Sequence, residues 1–159
     1  MWSPPPRLTV TEWSEQFRRL STEASSMPGM FRIELAPYQA EPMNSVMDQS
    51  VQSVVLMWAS QTGKTEIINN IIGYHIDLDP SPILCLQPTL EIATSWSTDR
   101  LSPMVRDTPV LKKLVADPKA RDSGNTKLHK KFMGGHITIA GANSPASLAA
   151  RPIRVVLCD

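Results

Sequence analysis

Val54-Val55-Leu56-Met57-Trp58-Ala59-Ser60-Gln61-Thr62-Gly63-Lys64-Thr65 is the stretch that decides the fold. Its five leading apolar residues predict a buried strand. Ile67, Ile68, Ile71 and Ile72 fall on one helical face directly after it. A strand, a tight loop, Gly-Lys-Thr and a helix make the phosphate cradle known as Walker A. In that cradle backbone N–H groups at a helix N-terminus point at phosphate oxygens, and the helix dipole adds positive potential. Residues Ser60, Gln61, Thr62, Gly63, Lys64 and Thr65 are therefore the candidate nucleotide contacts. Lys64 would reach the β- and γ-phosphates and stabilise transition-state charge, and the Thr65 hydroxyl would ligate Mg²⁺. The full pattern places a glycine where this chain has Trp58. A triplet alone also suits an ordinary loop with a solvated lysine, so the flanking strand and helix carry the reading.

The far end of the chain supports it. Arg154-Val155-Val156-Leu157-Cys158-Asp159 is four apolar residues and then an acid. That is the form of a Walker B strand, which delivers a carboxylate beside the phosphates. Asp159 is the second candidate catalytic residue and, with Thr65, the candidate metal ligand. A core strand that happens to end in Asp is the plain alternative, and the upstream Gly-Lys-Thr argues against it.

Composition sets the limits. A chain of 159 residues is one domain's worth, enough to bury about 70% of its unfolded surface. The net charge is +1, so no global basic field announces nucleic acid. Cys85 and Cys158 both fall in predicted buried strands and suggest small core residues in a reducing compartment. No apolar run approaches the ~18 residues of a membrane span, and no signal peptide opens the chain. The expected location is the cytoplasm.

The remaining elements follow from local signals. Residues 3–6 form a proline-rich arm. Thr9 and Glu12 predict a capping box, with Trp13, Phe17 and Leu20 lining a helix to about Leu20. Residues 21–29 suggest a loop. Pro37 opens the next helix, which Pro42 forces to start late or to kink. Tyr38 and Gln39 precede Lys64 by a spacing that permits an adenine contact. Ile83 to Gln87 predicts a strand, Thr89 caps a helix through Leu101, Pro103 closes it, and Pro109 opens a short one to Leu114. Residues 121–126 suggest a loop. Lys127 to Phe132 and His136 to Ala140 predict a hairpin turning at Met133-Gly134-Gly135. Its first arm is the most basic stretch of the chain, best read as a solvated edge guarded by lysines, with a DNA-facing role as the alternative. Residues 141–152 form a small-residue loop holding Ser144, Ser147 and Arg151. Strands alternating with helices predict an α/β fold with a mainly parallel sheet flanked by helices, a hairpin before the Walker B strand and the additional strand of one branch of P-loop NTPases. The division expected is an N-terminal arm and helix over 1–35 and a partial P-loop domain over 36–159.

Many ordered segments together resemble the N-terminal ATPase part of the tailed-phage terminase large subunit, in its lambda-type branch. They include Leu8-Thr9-Val10-Thr11-Glu12-Trp13, Ala36-Pro37-Tyr38-Gln39, Gln61-Thr62-Gly63-Lys64-Thr65-Glu66, Gln87-Pro88-Thr89, Arg100-Leu101-Ser102-Pro103-Met104, Gly141-Ala142-Asn143-Ser144-Pro145 and Arg151-Pro152-Ile153-Arg154. The resemblance implies a truncated piece of an ATP-driven viral DNA-packaging motor with ATP and Mg²⁺ as cofactors. It implies viral double-stranded DNA, a small terminase subunit and a portal or procapsid as partners, a homo-oligomer in the full motor, no membrane, and a place in the host cytoplasm. It makes Gln39 an adenine contact, and Lys64, Thr65 and Asp159 the phosphate and metal residues. Where many members carry a phosphate-loop arginine this chain has Ser60, and Arg151 is the substitute guessed. The catalytic Glu, the coupling motif and the nuclease domain would lie beyond Asp159, so the piece alone is expected to turn over little or no ATP. Two rivals stand beside this reading. One is a helicase-like remodelling ATPase, which a second motor domain would betray. The other is a non-catalytic prophage remnant, which would show no stabilisation by Mg-ATP.

Overall fold

The computed structural model describes residues 7–23, 25–115, 125–143 and 152–159. The expected arm at 3–6, most of the loop at 121–126, and Ser144, Ser147 and Arg151 lie outside them.

Helix α1, Val10–Phe17, starts on the expected capping box. Thr9 Oγ1 accepts from Glu12 N–H at 3.2 Å, and Glu12 Oε2 accepts from Thr9 N–H at 2.7 Å. These bonds hold the Glu12 carboxyl below its ordinary range. The helix stops short of Leu20. Arg18 turns extended, and its guanidinium is buried, pairing with Glu66 at 3.1 Å and donating to the Arg19 carbonyl. Strand β1, Arg19–Leu20, then pairs antiparallel with β2, Gly29–Met30. The polar stretch read as a plain loop is therefore the turn of a two-stranded ribbon. Single turns at Ile33–Leu35 and Pro37–Gln39 lead into α2, Ala40–Ser45. Pro42 falls in the first turn of α2, where its missing N–H has no intrahelical acceptor to lose.

Helix α3, Lys64–Asp77, is the centre of the molecule, buried from Ile67 through Ile76. Trp13 of α1 lies across it at Gly73, where an added Cβ would stand 2.2 Å from the indole ring. The indole N–H donates to Asp77 Oδ2 at 2.8 Å. A contact this close needs a residue without a side chain.

The main sheet runs β4–β5–β3–β6, with β3 Pro82–Gln87, β4 His129–Phe132, β5 Gly135–Gly141 and β6 Val155–Cys158. Strand β3 pairs parallel with both β5 and β6, and β4 closes antiparallel on β5. The hairpin turns at Met133-Gly134, where Gly134 has φ +85. Between strands run α4 Leu90–Trp96, α5 Ser102–Asp107 and α6 Pro109–Leu114. The fold is thus α/β, with a mostly parallel sheet flanked by helices.

Four expectations are corrected. Val54 to Trp58 joins no strand; Leu56 and Trp58 still turn toward the core while Val55 and Met57 are exposed, so the alternation survives without a ladder partner. Pro103 does not close its helix. One wide turn at Ser97–Leu101, with Ser102 N–H bonding back to Ser97 O, absorbs the missing donor and the chain stays helical to Asp107. Cys85 is buried, its thiol pushed up to about 12 by burial, but Cys158 is exposed on the outer strand. Lys131 guards the hairpin edge in solvent as expected, yet Lys130 is buried.

Candidate functional site

The loop before α3 has the backbone that an anion cradle needs. Gly63 is the helix N-cap with φ +84, and Gln61 also has positive φ at 59. Only a glycine adopts the first of these cheaply. Thr62 Oγ1 donates to Ala59 O at 2.8 Å and shapes the bend. The N–H groups of Thr62, Gly63, Lys64 and Thr65 bond to no described residue. Four unspent donors at the N-terminus of a 14-residue helix constitute an anion site with the dipole behind it. The Lys64 ammonium donates to the carbonyls of Trp58 at 3.0 Å and Ala59 at 2.9 Å. It folds back over the loop that a phosphate would occupy.

Asp159 arrives from the sheet. Its N–H donates to Leu86 O at 3.1 Å, which continues the β3–β6 ladder one residue past Cys158. Its Oδ2 accepts from Thr65 Oγ1 at 2.8 Å. Two residues 94 positions apart thus meet because parallel strands deliver their carboxyl ends to one edge, where ligands of open α/β sheets bind. A hydroxyl and a carboxylate side by side fit Mg²⁺, a hard cation that takes few protein oxygens and completes its shell with water and phosphate. Among the described residues no group of three or more His, Cys, Asp or Glu gathers as a metal cage. A cleft of about 520 Å³ opens beside this pair, walled by Gln87, Glu91, Asp99 and Arg100 as well. These four carried no functional signal in the sequence, where they were only residues of a strand end and a helix.

Gln39 and Tyr38 sit on the other flank. Both donate to the Thr62 carbonyl, Tyr38 Oη at 3.1 Å and Gln39 Nε2 at 3.3 Å. Tyr38 meets Trp58 edge-on, with centroids 5.1 Å apart. Gln39 is buried, its Nε2 lies 2.3 Å from where a Cβ on Gly63 would stand, and its Oε1 has no partner. Ser60 and Gln61 are exposed or nearly so on the loop crest. Of the predicted site residues, Gln39, Ser60 to Thr65 and Asp159 therefore cluster about one loop.

Fold and loop together define an α/β domain of the phosphate-loop class. The chain belongs to the family of phage terminase large subunit gpA ATPase domains, whose model matches residues 25–159. No curated protein matches it in sequence. Among solved structures it is similar to the HK97 bacteriophage large terminase, with TM-score 0.64, 14% identity, and coverage of 94% of this chain and 36% of that one. At that identity the likeness is one of fold. The chain spans about 36% of the length of that neighbour. No helix among the described residues is long and apolar enough to cross a membrane.

Proposed function

We propose that this chain is the nucleotide-binding part of a DNA-packaging motor, and that it holds ATP and Mg²⁺ between the 60–65 loop and Asp159. The 2.8 Å bond from Thr65 Oγ1 to Asp159 Oδ2, beside four unspent N–H donors, carries the reading. Those N–H groups bind the phosphates. Lys64 exchanges its two carbonyl acceptors for phosphate oxygens and offsets charge there in the transition state. Thr65 and Asp159 hold the cation. When bound, Mg²⁺ neutralises charge on the β- and γ-phosphates. Gln39 keeps its amide on the loop, and its unmatched Oε1 is the acceptor offered to the adenine amino group. In the full-length motor, hydrolysis would drive viral double-stranded DNA into a procapsid. A ring of copies, a portal, a small terminase subunit and the host cytoplasm complete that reading.

The test is stabilisation by Mg-ATP. A ligand that binds only the native state at about 100 times its Kd adds about 2.7 kcal/mol. The wild-type chain should gain a clear rise in melting temperature, and Lys64→Ala and Asp159→Asn should lose most of it. No rise in the wild type, or an equal rise in Lys64→Ala, rejects the assignment.

A further inference from the structure

A second cavity, of about 390 Å³, lies between the wide helical turn and the basic hairpin, away from the residues of the nucleotide site. Ser97, Thr98 and Ser102 form one wall, and Asn125, Lys127 and Lys130 form the other. Local bonding holds both walls in place. Ser97 Oγ donates to the Lys127 carbonyl, Ser102 Oγ donates to Ser97 O at 2.8 Å, and Asn125 Oδ1 accepts from Lys131 N–H at 2.6 Å. Wide turns of this kind are frequent at functional sites.

Lys130 is the anomaly. It is 6% exposed, yet it makes no hydrogen bond or ion pair with any described residue. No carboxylate lines the cavity. Burial depresses its ammonium pKa, and no acid nearby offsets that. An ammonium so placed keeps three donors unspent and is costly unless a charge partner is supplied. Lys127 at the rim and exposed Lys131 add positive potential to the approach. The nucleotide cleft, by contrast, is walled by Glu91, Asp99 and Asp159 and would repel an unaccompanied anion.

We propose that this cavity receives a phosphate group, and that the phosphate belongs to the backbone of duplex DNA. The anion chemistry stands on Lys130 and the acid-free walls. The choice of DNA rests on the packaging reading above. Binding is through charge and shape, so it is independent of base sequence.

The experiment is fluorescence anisotropy of the chain with a short labelled duplex, over about 50 to 200 mM salt. Two variants are compared. Lys130→Met removes the charge and keeps the stem. Asn125→Asp keeps the acceptor for Lys131 N–H and adds a negative charge to the wall, so it serves even where Lys130→Met fails to fold. Each should weaken binding about tenfold at low salt. Lys130→Met should also lower the salt slope by about 0.9, the loss of one phosphate contact. Folded variants with wild-type affinity and slope would overturn the proposal and leave Lys130 a neutral core residue. Inorganic phosphate that raises the melting temperature of wild type but not of Lys130→Met, with DNA binding unchanged, would overturn the DNA assignment in favour of a free anion. Stabilisation of Lys130→Met by Mg-ATP is read in parallel. Its persistence separates failure at this cavity from failure of the nucleotide reading.

Discussion

Gly63→Ala probes the one contact that joins the loop to the residues before it. Two costs can be worked out. At φ +84 a residue with a Cβ is strained, by about 1–2 kcal/mol. The new Cβ would also stand 2.3 Å from Gln39 Nε2, so the amide must swing away from the Thr62 carbonyl it holds at 3.3 Å. Loss of that bond adds about 1 kcal/mol. The total is about 2–3 kcal/mol, measured as urea unfolding followed by circular dichroism. In a Gln39→Ala background the amide is already gone, so Gly63→Ala should cost only about 1–2 kcal/mol from the backbone. The coupling of about 1 kcal/mol is a double-mutant cycle result, above the few tenths expected of independent sites. An equal cost of Gly63→Ala with and without Gln39 would refute the contact. Mg-ATP stabilisation should fall in parallel, because the strained cap aims the unspent N–H groups.

Three further outcomes are expected. Gly73→Ala should lose about 1–3 kcal/mol by driving α1 off α3, while Gly73→Ala with Trp13→Leu should recover part of it; no recovery would exclude the indole as the obstacle. Glu66→Gln strips the buried Arg18 guanidinium of its carboxylate and should cost about 3 kcal/mol, the low end of the range because Glu66 is partly solvated. Replacing both partners with Met should be much milder, and an equally severe double variant would contradict the pairing argument. His75 is held neutral chiefly by burial, which Asp79 at 3.3 Å only partly offsets. Its folded pKa lies below the ordinary value of about 6.5, so the stability it contributes is complete above that pH and is lost as pH falls through the depressed value. Unfolding free energy should drop between neutral and mildly acid pH in wild type, and His75→Gln should flatten that part of the profile; an unchanged profile would remove His75 from the account.

Local chemistry was legible in the sequence wherever neighbours in the chain set the outcome. Thr9 and Glu12 capped α1, Pro109 opened α6, Gly134 turned the hairpin, and Gly63 began α3, because each depends on backbone conformation within a few residues. The candidate site residues were legible for the same reason, since the loop, Gln39 and Asp159 follow short patterns. Packing decided the rest. Arg18 left its helix where a buried pair with Glu66 was on offer, and Pro103 stayed helical because the turn before it widened. Val54 to Trp58 kept its alternation and formed no strand, because a ladder needs a neighbour whose edge is free and aligned. The meeting of Thr65 with Asp159, the cleft walls at Gln87 and Glu91, and the burial of Lys130 are facts of tertiary structure. They depend on contacts between segments far apart in the chain, and no local propensity encodes which distant surface a side chain will face.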